Sequence, residues 1–119
     1  MLLATLLKSE ITELEPKIMS VGNLSIGIYK FRGKFYAYLN RCPHQGGPAC
    51  EGKVLGKTIR ELDERGNRVR DYDSEDRLNI LCPWHGFDYD LQTGLSSNNK
   101  LRLRKYTVID NGDTISIES

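Results

Sequence analysis

"RCPHQGGPAC", Arg41 to Cys50, and "ILCPWHGFDYD", Ile80 to Asp90, decide how this chain is read. Each stretch holds a cysteine, a proline, a histidine and a glycine in that order. The spacing is Cys42-x-His44 and then Cys82-x-x-His85, with 37 residues between His44 and Cys82. The short intervals put two ligands on one tight loop, and the long interval lets a second loop arrive from elsewhere in the fold. Pro43 and Pro83 stiffen the loops by fixing φ and removing an N–H. Gly46 and Gly86 permit turn conformations and close backbone approach just after each histidine. Two cysteines and two histidines from two such loops make one four-ligand metal site.

Two metal chemistries accept that set. A structural Cys2His2 zinc site uses the same four side chains. Zinc fingers, however, usually space cysteine with cysteine and histidine with histidine, whereas each loop here mixes the two. A binuclear iron cluster with two cysteines on one iron and two histidines on the other uses the mixed set.

The rest of the chain favours strands. "NLSIGIYKF" sets Ile26, Ile28 and Phe31 among polar neighbours, and "GKFYAYLN" follows an Arg32-Gly33 turn, a hairpin of Ser25–Phe31 against Lys34–Asn40. "KLRLRKYTVI" alternates Leu101 and Leu103 with Arg102 and Arg104, as a half-buried strand would. Asp110-Asn111-Gly112-Asp113 turns the chain and "TISIE" returns. An all-β domain follows, a sandwich or small barrel of antiparallel sheets. "KTIRELD-ERGN-RVRDYD" reads as a further hairpin with a Gly66-Asn67 turn. Residues 51–77 hold seven basic and eight acidic side chains, so this piece is highly charged yet nearly neutral.

At 119 residues the chain is long enough for one domain with a modest core, and the expectation is a single domain over 1–119. It is 39% hydrophobic and 28% charged with a formal net charge of +1, which gives no bulk signal for nucleic acid or a membrane surface. "MLLATLL" has a short apolar run with no preceding charge and no small-residue cleavage site, so a first strand is expected there rather than a signal peptide. No stretch approaches the roughly 20 apolar residues of a membrane span. Three cysteines, an odd count without secretory features, argue against a disulfide scaffold and for the cytoplasm.

"CPHQGG" and "CPWHGFDYDLQTG" together resemble the Rieske [2Fe–2S] signature, C-x-H … C-x-x-H followed by the D-x-x-T-G turn at Asp90 to Gly94. The resemblance extends more loosely over "FYAYLNRCPH" and "LRLRKYTVIDNGDTISI", and leaves out the middle insert and the first twenty or so residues. It implies a Rieske-like fold whose cluster-binding subdomain, about 41–96, is made of two ligand loops, with a charged insert at about 51–77. It implies one [2Fe–2S] cluster per chain, Cys42 and Cys82 binding one iron as thiolates and His44 and His85 binding the other. Neutral imidazoles carry less negative charge than thiolates, so such centres span roughly −150 to +300 mV, above plant-type ferredoxins.

The same resemblance narrows the function. Respiratory members carry an extra cysteine in each ligand loop; Trp84 stands where the second would be, and Cys50 has no partner once the ligands are assigned. Cys50 is expected to be a buried or mildly reactive thiol. A mononuclear oxygenase iron needs two further histidines, and both histidines of the chain are already spent. What is left is a one-electron carrier like the ferredoxins of ring-hydroxylating dioxygenase systems. Its implied partners are a reductase as donor and a terminal oxygenase or another reductase as acceptor. Alternatives are the small subunit of another multi-component reductase, such as a nitrite-reductase-like assembly, and a zinc-binding interaction module. A monomer is expected. Around the cluster the resemblance implicates Gln45, Gly46, Trp84, Gly86 and Tyr89. Phe87 replaces a hydroxyl donor that high-potential members have, while Tyr89 retains the other, which implies a potential low in the range. "LSSNNK", Leu95 to Lys100, lacks the proline of the family's covering loop.

Overall fold

A computed structural model of the chain describes residues 1–41, 43, 46–83, 88–96 and 100–119, with the side chains of 57–59 and 72–76 excepted. The described strands are β1 (Leu2–Leu7), β2 (Lys17–Val21), β3 (Leu24–Phe31), β4 (Lys34–Leu39), β5 (Val54–Leu62), β6 (Arg68–Leu81), β7 (Asp88–Asp90), β8 (Lys105–Asp110) and β9 (Thr114–Glu118). Single 3-10 turns lie at Lys8–Glu10 and Ala49–Glu51. Antiparallel pairing gives a six-stranded sheet in the order β1-β9-β8-β4-β3-β2 and a three-stranded sheet in the order β5-β6-β7. The expected all-β architecture is what the chain adopts.

The β3–β4 hairpin is the hinge of the design. Arg32 and Gly33 both take positive φ, 50° and 76°, as a two-residue turn of that twist requires. Strand β3 is not half-buried, as simple alternation would have it, but buried on both faces. Ile26 and Ile28 point with Ala37, Tyr106, Ile115 and Ile117 into the core enclosed by the six-stranded sheet. Tyr29 and Phe31 point the other way, with Tyr38, into a second core shared with Leu78, Ile80, Cys82, Tyr89 and Leu91. The larger sheet is thus a scaffold on whose outer face the smaller sheet is packed.

One sequence expectation changes, the first strand expected at the N-terminus forms, and one strand is added. The alternation of Leu101 to Arg104 tracks burial, with Leu103 buried and Arg102 and Arg104 exposed, but regular strand starts only at Lys105. Leu103 N–H donates instead to the Gly94 carbonyl at 2.8 Å, and Ser96 N–H to that of Leu101. The N-terminal residues are integral: β1 pairs with β9, and Ile11 is buried in the barrel core. Strand β2, joined to β3 through Gly22 at φ 59°, adds a hairpin that polarity alone hides.

The charged segment is a hairpin, β5 against β6, turning at Asp63–Asn67, where the Asp63 carboxylate accepts from the N–H groups of Arg65 and Asn67. Its register shifts between Gly56 and Thr58. On the inner side of that irregularity Val54–Gly56 pair with Leu78–Ile80 next to the second core; on the outer side the hairpin carries cross-strand ion pairs, Arg60–Asp71 and Arg70–Glu61.

Candidate metal centre

Of the four residues assigned as ligands, Cys82 is described, and it is fully buried in the second core. Cys42, His44 and His85 lie outside the described residues, as do Gln45, Trp84, Gly86, Phe87 and the 97–99 part of "LSSNNK". Accordingly, no three His, Cys, Asp or Glu side chains gather at metal-binding distance among the described residues. What the structure does show is how the bases of both loops are built and brought together.

The first loop leaves β4 at Asn40 and returns at Cys50. Asn40 closes it: the side-chain carbonyl accepts the Cys50 N–H at 2.8 Å, and the side-chain amide donates to Ser25 Oγ and to the Glu51 carboxylate. Beneath, the Tyr29 hydroxyl donates to the Cys50 carbonyl at 3.3 Å. Gly46, within the loop, has φ 76°, so its glycine serves a turn conformation that side chains resist.

The second loop, 82–87, joins β6 to β7, whose last register pair is Leu81 with Asp88. Beyond β7 the D-x-x-T-G turn forms as a compact carboxylate-centred unit. One Asp90 oxygen accepts from Gln92 N–H and Thr93 N–H, the other from the Arg77 guanidinium at 3.1 Å, and Gly94 takes φ 78° against the Tyr38 ring. The Tyr38 hydroxyl donates to the Leu91 carbonyl at 2.6 Å. Two edge-on tyrosines of the scaffold, Tyr29 and Tyr38, therefore hold one loop base each. Burial pushes both hydroxyls well above the usual tyrosine range, which keeps them as neutral donors.

Gly52 joins the halves. The Lys53 carbonyl accepts the Leu81 N–H at 2.8 Å, and the Gly52 backbone lies so close to Leu81 that a Cβ would overlap the Leu81 carbonyl. The chain leaving the first loop is thereby pressed against the residue before Cys82. Neither Gly52 nor Asn40 was singled out from the sequence; the only available signal was their placement at the two ends of the Cys42 loop.

Cys50 is a free, fully buried thiol behind the site, within weak hydrogen-bonding distance of the Tyr38 and Leu39 carbonyls. Burial pushes its pKa up to about 11, so of the two expected behaviours it is the inert one. Tyr89 is fully buried in the core that holds Cys82, and its hydroxyl is not in water.

A family model described as the Rieske [2Fe-2S] domain matches residues 2–107. The chain belongs to the Rieske [2Fe–2S] family. The match begins at residue 2 and runs through the charged hairpin, so the resemblance takes in the N-terminal strand and the middle segment that the motifs alone left out. The Rieske cofactor is a [2Fe–2S] cluster. The donor types offered by the two loops suit it, and so does the water-excluded setting of the Cys82 thiol.

Solved structures agree on the Rieske fold. The ferredoxin of carbazole 1,9a-dioxygenase from Nocardioides aromaticivorans IC177 is 17% identical with a TM-score of 0.69, covering 98% of this chain and 96% of its own. The complex of reduced oxygenase and oxidized ferredoxin in carbazole 1,9a-dioxygenase gives 21% identity and a TM-score of 0.66, covering 96% of this chain and 92% of that one. A protein assigned as an NADH-dependent nitrite reductase small subunit from Mycobacterium tuberculosis gives 12% identity and a TM-score of 0.69, covering 96% and 91%. At these identities the likeness is one of fold. Nothing among curated proteins matches the chain. No helix among the described residues is long and apolar enough to cross a membrane.

Proposed function

We propose that this chain is a one-electron carrier that takes electrons from a reductase and delivers them to a terminal oxygenase, as a monomer in the cytoplasm. Cys42 and Cys82 hold one iron of a single cluster through their thiolates, and His44 and His85 hold the other through imidazole nitrogens. When bound, the cluster supplies a reversible one-electron couple. The protein's own residues do the rest. Asn40 and Asp90 fix the loop bases, Gly52 sets one loop against the other, and the apolar packing around Cys82 keeps water from the thiolate side. Tyr89, buried beside Cys82, is the residue offered as hydroxyl donor towards the sulfur side, a contact that raises the potential.

The observation that carries the reading is Cys82 itself. A buried thiol at the end of β6 is packed with the base of the other Cys/His loop, inside a chain whose family binds [2Fe–2S]. The fold shared with a dioxygenase ferredoxin over nearly the whole of both chains supports the oxygenase partner. The fold shared with an assigned nitrite reductase small subunit supports a second reading, a small subunit of another reductase assembly. Reconstitution separates them. The protein is supplied with an NAD(P)H-dependent flavin reductase and either a ring-hydroxylating oxygenase or a nitrite reductase large subunit, and NAD(P)H consumption is followed. Turnover with the oxygenase that requires this chain supports the first reading. Turnover with the nitrite reductase alone replaces it with the second.

A further inference from the structure

Two tyrosines link the bases of the two loops through one another. Tyr29 of β3 and Tyr38 of β4 are both fully buried in the core that holds Cys82. Tyr29 stands opposite Tyr36 in the β3–β4 register and Tyr38 opposite Gly27, so the two tyrosines are diagonal neighbours on one face of the ladder. Their rings meet edge to face, with centroids 6.4 Å apart and planes at 61°.

Each hydroxyl leaves this pair for a different loop. That of Tyr29 donates at 3.3 Å to the carbonyl of Cys50, where the Cys42 loop ends. That of Tyr38 donates at 2.6 Å to the carbonyl of Leu91, in the turn that follows the Cys82 loop. Tyr38 also touches both loop bases directly. Cys50 Sγ lies 3.8 Å from the Tyr38 carbonyl, in the space that Gly27 leaves open by having no Cβ. The Tyr38 ring lies so close to Gly94 that a Cβ there would sit 2.8 Å from Cε1. The contacts therefore run unbroken from Cys50 through Tyr29 and Tyr38 to Leu91 and Gly94. Tyr106 supplies the contrast: it is buried in the other core, and its hydroxyl has no hydrogen-bond partner. Burial alone does not give a tyrosine of this fold an acceptor, yet Tyr29 and Tyr38 each find one on a loop base.

We propose that Tyr29 and Tyr38 are positioning residues that act as one brace, coupling the base of the Cys42 loop to the turn behind the Cys82 loop and so setting how the two loops hold the cluster. The inference rests on the cluster site proposed between the loops, and not on the identity of the redox partners. Side chains in contact within one hydrogen-bond network are energetically coupled, and the coupling is reciprocal. Loss of either hydroxyl should therefore be felt at both ends.

The test has an arm that needs no cluster, amide hydrogen exchange read by mass spectrometry. Tyr29→Phe should speed exchange about threefold or more at Cys50 and also at Leu91–Gly94, and Tyr38→Phe should do the same at both places. Tyr106→Phe, which removes a hydroxyl that bonds to nothing, should leave both segments as they are in the parent. In the cluster-loaded protein, Tyr29→Phe and Tyr38→Phe should shift the midpoint potential in the same direction, and the double variant by no more than the larger single shift. Faster exchange confined to the loop that lost its own hydrogen bond makes the tyrosines two independent struts and overturns the brace. Potentials that do not move, or shifts that add, overturn it as well, and so does an exchange pattern that Tyr106→Phe reproduces. Should Tyr38→Phe not fold, the exchange map of Tyr29→Phe decides alone. A parent protein that takes up no cluster, judged by electron paramagnetic resonance, overturns the cluster site, and the exchange arm still decides the brace.

Discussion

The backbone of Gly52 lies against the carbonyl of Leu81 with no room for a Cβ between them. One residue on from Leu81 is the buried Cys82, and two residues before Gly52 is Cys50, the end of the other loop. The two halves of the candidate site are therefore joined through backbone, where no side-chain rotation can relieve an added methyl group.

Gly52→Ala should accordingly separate the loops. Overpacking of this kind costs about 2 kcal/mol or more. The expected outcome is a protein with markedly less bound iron per chain after identical preparation and a lower urea midpoint. Gly66→Ala, at an exposed hairpin turn with open space for a Cβ but a φ of 81° that alanine resists, should lower the urea midpoint through backbone strain and still retain full iron content, which separates loss of the cluster from loss of stability.

The loop anchors should show their worth in stability. Asn40→Ala leaves the Cys50 N–H without its acceptor, and Asp90→Ala strips two backbone N–H groups and the Arg77 guanidinium at once. Each should cost about 1–3 kcal/mol in chemical denaturation. Asp90→Asn, which keeps one acceptor oxygen for the turn, should recover part of the loss. An Asp90→Ala protein as stable as the parent would contradict the role given to this turn.

Cys50 makes a pH prediction with a definite sign. Its folded pKa is raised to about 11 by burial, so the folded state favours the protonated thiol. That contribution is fully present below the unfolded thiol's pKa and is lost as pH rises from roughly 9 towards 11. Tyr29 and Tyr38 are raised for the same reason and extend the decline to higher pH. Urea midpoints measured across this window should drop for the parent, and Cys50→Ala should begin its decline at higher pH. Iodoacetamide at pH 8 should label Cys50 only after unfolding.

The outer part of the β5–β6 hairpin should be dispensable for cluster binding and relevant to partner choice. Removing Thr58–Asp73 and joining the strands through a short Asn-Gly turn keeps Val54–Gly56 and Leu78–Ile80, the pairing that borders the second core. The visible and magnetic spectra should be unchanged, and so should oxidation by hexacyanoferrate(III). Electron transfer with the partner protein identified by reconstitution should slow; unaltered transfer would assign the hairpin no part in recognition.

Local patterns in the sequence located the parts whose chemistry is local. The Arg32-Gly33 turn was legible because its glycine takes a positive φ without strain between two apolar runs, and the Asp90–Gly94 turn because its carboxylate serves its own backbone. The two Cys/His spacings pointed to a mixed ligand set before any fold was known. Features set by tertiary packing were not legible. Tyr29 and Phe31 are buried because a second sheet covers the outer face of β3, which alternation cannot foresee. Leu101 to Arg104 alternates like a strand, yet Leu101 and Leu103 bond to Ser96 and Gly94, and only the Arg104 carbonyl meets β4, accepting from Leu39 N–H. Gly27 looks like a weak point in a strand until the Cys50 side chain is seen to fill the space a Cβ would need.

The most direct test of the central claim is electron paramagnetic resonance of the purified, dithionite-reduced protein, together with iron, sulfide and zinc analysis. Mixed thiolate and imidazole ligation predicts two irons and two acid-labile sulfides per chain, no stoichiometric zinc, and a reduced signal of lower average g than an all-thiolate cluster gives. A colourless protein holding one zinc and no sulfide, even after anaerobic cluster reconstitution, would contradict the account and turn the same four side chains into a structural site.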